Sequence, residues 1–319
     1  MAGPLADSIS SVIAAAPYSA RPPSPPYINI PMNPADATLV PSYDNMDSMH
    51  LTSDDLNIIT RNRHQVARDR SVEWSYESRR QAQSILDFLY LGPMSVARDA
   101  DWLHHNGITL ILVVRHSRVA QARLMSVDKV AQSLGIAVEY LDVADNGELI
   151  RTFPDVVRKI NNHLLEVYRR QALGKQENGM LIDGDNFRGG KVLIVCETGN
   201  DRSALVAAAY IMAMYSEPMI KSVQYVSVQR FSANFDEDGK RMLMAYEDIL
   251  TAQKNVSSAT RHIPRGGQLN GQMVKEKRGI EDTLDEEDWQ KGAGYAGFLL
   301  DRERYEDRGK FSPFIDASQ

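Results

Sequence analysis

The chain has 319 residues, with Lys+Arg 36 against Asp+Glu 42 and a formal net charge of -6. An acidic balance argues against a general nucleic-acid binder, and one cysteine excludes an internal disulfide and fits a reducing compartment, cytoplasmic or nuclear. The longest strongly apolar helix expected, residues 204–215, is too short to cross a bilayer, and the mildly apolar stretch Ile9 to Ala20 lacks the basic start of a secretory signal.

In chain order, residues 1–70 are rich in Pro, Ser, Asn and Asp, including Pro22-Pro23-Ser24-Pro25-Pro26, and are expected to be disordered. An ordered domain is expected over 71–254. Its opening residues Trp74 and Tyr76 are read as packing the first strand. Ile85 to Gly92 reads as one or two short strands ending at Gly92-Pro93, and Ile108 to Val114 as a buried strand. Ala137 to Val143 alternates as a further strand, and Phe153 to Tyr168 carries a helical apolar stripe. Residues 170–189 look like a polar, Gly-rich surface insertion, in which Asp183-Gly184-Asp185-Asn186 reads as a turn rather than a cation loop. Two amphipathic helices follow the strand at 191–195, near 219–230 and 239–250. The tail from 255 to 319 is polar and charged and expected to be mostly disordered, although Tyr295 to Leu300 is a small apolar cluster. There is no internal repeat. Strands alternating with helices imply α/β layers around a mostly parallel sheet, with ligands at the carboxyl ends of the strands.

Chemistry concentrates in Val195-Cys196-Glu197-Thr198-Gly199-Asn200-Asp201-Arg202-Ser203. A buried strand, Lys191 to Val195, feeds a tight polar loop, and a helix follows without Gly or Pro. Inward-turned amides and a helix N-terminus make such a loop an anion cradle, whose field favours a thiolate at Cys196. Arg202 would close the ring with two parallel hydrogen bonds to an oxyanion. The alternative is a small buried hydrophobe ending a core strand. Gly199, Ser203 and the flanking strand and helix favour the cradle.

The spacing Cys-x5-Arg-Ser, with Gly three residues after the Cys, resembles the signature loop of the protein tyrosine and dual-specificity phosphatases. Further blocks resemble one branch of the atypical dual-specificity phosphatases, that of the phosphoserine/threonine/tyrosine-interacting proteins. These are Glu73-Trp74-Ser75-Tyr76 with Arg79-Arg80, Tyr90-Leu91-Gly92-Pro93, His105-Asn106-Gly107-Ile108-Thr109, Asp142 to Asn146, Phe153-Pro154 and Ala209 to Met212. The resemblance implies a three-layer dual-specificity-phosphatase fold, a mostly parallel sheet between helices. It also implies a phosphorylated protein as substrate or partner and no metal or other cofactor. On this pattern Cys196 is the nucleophile, and residues Glu197, Thr198, Gly199, Asn200, Asp201 and Arg202 form the phosphate cradle. Ser203 assists the departing sulfur. Asp145 is the general acid, with Asp142 as the runner-up or as a partner for a backbone amide.

The chain departs from that branch in two ways. Its type member replaces the nucleophile by Gly, whereas Cys196 is kept here, and the family's His before it is Val195. The low-molecular-weight phosphatases, similar only in the loop, also place an aliphatic residue there. A carboxylate such as Asp201, about 7 Å from a bound phosphate at an effective dielectric near 20, costs roughly 2 kcal/mol. An ion pair with Arg115 or Arg118 would offset part of that cost, and Glu197 adds to it unless it projects away. Two functions follow: a phosphoprotein phosphatase, favoured by the retained Cys196, Arg202, Ser203 and Asp145, or a pseudophosphatase that binds without hydrolysis, favoured by Val195 and Asp201. A scaffold with kinase sites at Ser24-Pro25 and Ser312-Pro313 is a weaker third. His104, His105 and His116 lack ligand partners at helical spacing, His163 is expected to be solvated, and Arg230 reads as a solvated helix end, the alternative being a residue that shapes the site rim.

Overall fold

The computed structural model describes residues 26–31, 38–70, 72–120, 125–176 and 187–261. The expectations for Ile9 to Ala20, 22–25, 183–186 and the tail beyond 261, including 295–300 and 312–313, lie outside them.

Five strands form the central sheet, in the order β3-β4-β7-β5-β6. They are β3 (Gln83–Leu86), β4 (Leu89–Pro93), β5 (Leu110–His116), β6 (Ala137–Val143) and β7 (Val192–Cys196). Only the β3–β4 hairpin is antiparallel; β4, β7, β5 and β6 run parallel. The apolar stretch at 85–92 is therefore two strands turned at Asp87-Phe88. The central strand β7 is buried at all five positions, which explains its unbroken Val/Leu/Ile run.

Side chains alternate across this sheet and fill two cores. Leu110, Leu112, Val114, Val192, Ile194 and Cys196 face the larger layer, made of α5 (Asn146–Gln176), α6 (Arg202–Tyr215), α7 (Met219–Gln229) and α8 (Glu237–Arg261). Ile111, Val113, Leu193 and Val195 face the smaller layer of α3 (Ala100–Asn106) and α4 (Met125–Leu134). Helix α6 is buried at every residue from Ser203 to Tyr215, so it lies within the core rather than on its surface. This is the three-layer α/β arrangement expected from the sequence.

Residues 38–70 correct the expectation of an unstructured region from 1 to 70. They form the short pair β1 (Thr38–Leu39) and β2 (Gln65–Val66), with α1 (Met46–Met49) and α2 (Ser53–Thr60) between them. Their apolar residues are too sparse to show a period, yet Leu39, Met49, Leu51, Leu56 and Ile59 all enter the larger core. The polar residues between them serve backbone groups. The Ser42 amide donates to the Met214 carbonyl at 3.2 Å, and Asn45 Nδ2 donates to the Ala213 carbonyl at 3.0 Å. Both receivers are last-turn carbonyls of α6 that have no partner within the helix. Thr52 and Asp55 form a reciprocal capping box at the start of α2, a signal present in the sequence. Further along, Ile28 lies extended against α8, its amide donating to Glu237 at 3.0 Å and its carbonyl accepting from Lys240 at 2.9 Å.

Three smaller expectations change as well. Helix α5 continues through residues 170–176, the first part of the supposed insertion, and α8 runs beyond 254 to Arg261. His163 is half-buried and its Nε2 sits 2.9 Å from Thr109 Oγ1; burial holds its pKa below the usual value. Trp74 packs on Phe231 at 5.2 Å, while Tyr76 is exposed with the Arg79 guanidinium 3.6 Å over its ring.

Because Leu56 is fully buried, Leu56→Ala is expected to cost about 2–5 kcal/mol. Thermal melting should then fall by roughly 5–15 °C. An unchanged melting temperature would mean that residues 38–70 are not part of the folded unit.

Candidate active site

The signature segment folds as its spacing demands. Strand β7 ends at Cys196, residues 197–201 turn, and α6 begins at Arg202. The turn requires φ +76° at Gly199, in the left-handed region. A Cβ there would also lie 2.3 Å from the Gly92 carbonyl carbon, so the loop can pack this closely on the end of β4 only with glycine. Strand β4 is joined to the Cys196 end of β7 by the Met94 amide, which donates to the Cys196 carbonyl at 2.9 Å.

Cys196 is 1% exposed and its sulfur has two donors. The Gly199 amide lies 3.2 Å from Sγ and the Ser203 hydroxyl 3.0 Å. Ser203, the second residue of α6, is fully buried and points back at the strand end. Val195, where the resembling family has His, is fully buried on the opposite face of the sheet among Leu103, Ile111 and Val113. Its role here is core packing.

Arg230 scaffolds the loop and corrects the reading of a solvated helix end. It follows the last turn of α7, is 1% exposed, and points inward. Its Nε donates to the Gly199 carbonyl at 2.9 Å, and Nη2 donates to Asn200 Oδ1 at 2.9 Å. On the other side it donates to the Gln81 carbonyl at 2.8 Å, the Arg79 carbonyl at 3.0 Å and Gln83 Oε1. Asn200 Oδ1 also accepts from the Ser232 hydroxyl at 3.0 Å, and the Asn200 carbonyl accepts from the Asn234 amide at 2.8 Å. One guanidinium thereby ties the signature loop to the chain before β3. Burial pushes its pKa down to about 10, with nearby Cys196 acting the other way, so it stays cationic at neutral pH. All the atoms that receive its hydrogen bonds are neutral oxygens. A largely uncompensated positive charge therefore lies behind the cradle, where it favours an anion.

The acidic residues of the loop divide between two partners. Asp201 accepts from Thr198 Oγ1 at 2.7 Å and from Asn234 Nδ2 at 3.2 Å. The expected partners Arg115 and Arg118 are not used. Arg115 instead binds Asp142 through two nitrogens, and its guanidinium carbon sits 4.4 Å from the centre of the Tyr140 ring. Asp142 is thus an ion-pair partner, correcting the expectation of a carboxylate serving a backbone amide. Glu197 pairs with Arg202 at 3.1 Å, across the loop and partly in solvent. Arg202, the expected oxyanion clamp, is turned to a carboxylate of its own loop.

Asp145 lies at the start of α5 and is exposed. Its Oδ1 accepts from the Glu148 amide at 2.8 Å, while Glu148 Oε2 accepts from the Ala144 amide at 2.6 Å. It therefore acts as a helix cap, and among the described residues its side chain forms no hydrogen bond or ion pair with a member of the signature loop. The structure brings together Cys196, Gly199 and Ser203. It holds Thr198, Asn200 and Asp201 in a bonded turn, and leaves Arg202 and Asp145 on partners of their own. Arg230 and Asn234 are the additions. The sequence signal for Arg230 was an arginine ending an otherwise apolar helical stripe. Among the described residues no group of ligating side chains suits a metal ion, and no helix is long and apolar enough to cross a membrane.

Replacing Arg230 by Met leaves several buried oxygens without donors, so Arg230→Met is expected to destabilise the fold by about 2–4 kcal/mol. Urea midpoints measure this directly. A midpoint within error of the parent would show that the loop does not depend on the guanidinium.

No known protein-family profile matches the chain. It is 30% identical over 193 residues to the serine/threonine/tyrosine-interacting protein of Mus musculus, covering 59% of this chain and 74% of that one. With the human protein of the same name the identity is 31% over 188 residues, covering 58% and 72%. The crystal structure of human tyrosine phosphatase-like serine/threonine/tyrosine-interacting protein aligns at 27% identity. That alignment covers 54% of this chain and 99% of that one, with a TM-score of 0.38. On the shared sequence, this chain belongs to the serine/threonine/tyrosine-interacting protein family.

Proposed function

We propose that the chain is a phosphoprotein phosphatase that hydrolyses phosphate monoesters through Cys196, in the cytoplasm or nucleus. The observation that carries this reading is the sulfur at the end of β7 with two donors on it, Gly199 N–H and Ser203 O–H. A core cysteine needs neither donor, whereas a sulfur that must leave as an anion benefits from both.

In the first step the Cys196 thiolate attacks phosphorus, a P–S bond forms, and the P–O bond to the substrate oxygen breaks. Loop amides and Arg202 take up charge on the phosphoryl oxygens, with Arg230 supporting from behind. Asp145 protonates the leaving oxygen. Water then attacks phosphorus and gives its proton to the Asp145 carboxylate, the P–S bond breaks, and the departing thiolate accepts a hydrogen bond from the Ser203 hydroxyl.

Two rearrangements precede this chemistry. Arg202 must exchange Glu197 for the phosphate, and Asp145 must release the Glu148 amide. Giving up the cap costs about 1 kcal/mol, roughly a fivefold rate penalty. That points to a slow enzyme rather than a dead one.

A second reading is a pseudophosphatase that recognises phosphoproteins without turnover. It is favoured by the Arg202–Glu197 pair and the capping role of Asp145, and by relatives named as interacting proteins.

Single-turnover hydrolysis of a phosphotyrosine peptide separates the two. Under the first reading Cys196→Ser abolishes phosphate release. Asp145→Asn, which caps α5 as well as Asp does, lowers the rate by about 10²–10⁴ with the melting temperature unchanged. Phosphopeptide binding that needs Arg202, with no release from the parent protein, would establish the second reading.

Glu197→Ala frees Arg202. It is expected to tighten phosphopeptide binding about threefold to tenfold, since a partly exposed ion pair is worth up to about 1 kcal/mol and a like charge is removed as well. Weaker binding, read by fluorescence anisotropy, would mean that Glu197 orients Arg202 usefully.

A further inference from the structure

Residues 26–31 are held the way a bound peptide is held. Among the described residues they make no backbone–backbone hydrogen bond with the rest of the chain; side chains of α7 and α8 bond to their backbone instead. The Ile28 amide donates to Glu237 at 3.0 Å, and the Ile28 carbonyl accepts from Lys240 Nζ at 2.9 Å. The Pro26 carbonyl accepts from Arg241 at 3.4 Å, and the Pro31 carbonyl accepts from Gln224 Nε2. Lys240 and Arg241 follow Glu237 by three and four residues, on one face of α8, and Glu237 pairs with both cations.

The side chains of the segment alternate. Ile28 and Ile30 are half-buried and pack against the larger core, while Tyr27, at 83% exposure, and Asn29 face solvent. Pro31 restricts Ile30 to an extended conformation, so seating such a segment costs little ordering. Recognition therefore rests on backbone groups that any chain carries and on two aliphatic side chains at alternate positions. Extended-peptide docking divides its work in this way, with the main chain giving affinity and alternate side chains giving specificity. Pro26 and Pro31 are exposed at the two ends, so water can replace their bonds as the segment leaves. The surface also adjoins the scaffold of the signature loop. Helix α8 begins three residues beyond Asn234, which donates to Asp201 and to the Asn200 carbonyl.

We infer that this face of α7 and α8 is a docking surface for an extended segment of a partner protein, one with aliphatic residues at alternate positions and a proline after the second. Residues 26–31 occupy it as a tethered competitor, and the partner binds by displacing them. The inference holds with or without turnover at Cys196.

The test uses the full chain and a fluorescein-labelled peptide, Pro-Pro-Tyr-Ile-Asn-Ile-Pro-Met, read by anisotropy. In the parent the arm competes at an effective concentration of about a millimolar, so the peptide should bind poorly. Ile28→Ser with Ile30→Ser unseats the arm and should tighten binding by about tenfold or more. Adding Glu237→Gln and Lys240→Met should abolish that gain, and a peptide with serines at both isoleucine positions should not bind. A second readout needs no substitution: saturating unlabelled peptide should move the Ile28 amide signal of the ¹⁵N-labelled parent to its position in an unfolded chain. An unseated chain that binds no better than the parent, with a stationary Ile28 signal, would overturn the docking surface. So would a gain that survives Glu237→Gln and Lys240→Met, because the peptide would then sit elsewhere. A parent that sediments as a dimer, dissolved by the serine pair, would assign the surface to the arm of a second copy and overturn the partner reading.

Discussion

The site depends on a cation that never reaches solvent. Arg230 contributes the hydrogen bonds that a five-residue turn between a strand and a helix cannot make for itself. It spans from the Gly199 carbonyl and the Asn200 side chain to the carbonyls of Arg79 and Gln81. A loop whose amides turn towards a ligand must send some of its carbonyls to the other side, and those carbonyls need buried donors. The guanidinium supplies several from one plane, and its charge enters the field of the cradle as a consequence. Geometry and electrostatics are satisfied by the same atom group.

Around that fixed centre the movable charges sit on alternative partners. Arg202 is held by Glu197, Asp145 by the first turn of α5, and Asp201 by Thr198 and Asn234. The first two are exposed or partly exposed interactions of about 1 kcal/mol each, within reach of what a bound dianion can displace. The cost assigned to Asp201 near a phosphate is reduced differently, since its carboxylate is bound by a hydroxyl and an amide rather than neutralised by a cation. The loop is thus fixed through its backbone, while the charged side chains sit on partners that can be exchanged.

Local chemistry made the strand–loop–helix legible in the sequence. Five apolar residues, a glycine at the position that needs positive φ, and a helix without breakers point to one structure. The parallel sheet followed from alternation of strands and helices. What escaped was whatever depends on distant packing. Arg230 and Asn234 bond residues some thirty positions earlier. Residues 38–70 look featureless because the five apolar side chains that enter the core, Leu39, Met49, Leu51, Leu56 and Ile59, are unevenly spaced and carry no period. They fold because Ser42 and Asn45 satisfy carbonyls of a helix far along the chain. Likewise the Asp142–Arg115 pair joins neighbouring parallel strands at one register position, and no sequence spacing announces such a partner.

The single thiol has a practical meaning. Since Cys196 is the chain's one cysteine and lies at 1% exposure under the signature loop, every thiol-directed reagent reports on that loop alone. The alkylation rate of the unmodified protein is therefore a built-in gauge of how often the loop uncovers its sulfur, with no competing sulfhydryl to subtract. For the same reason an oxidised Cys196 has no second thiol in the chain to trap and rescue it, so recovery from peroxide would depend on an external reductant.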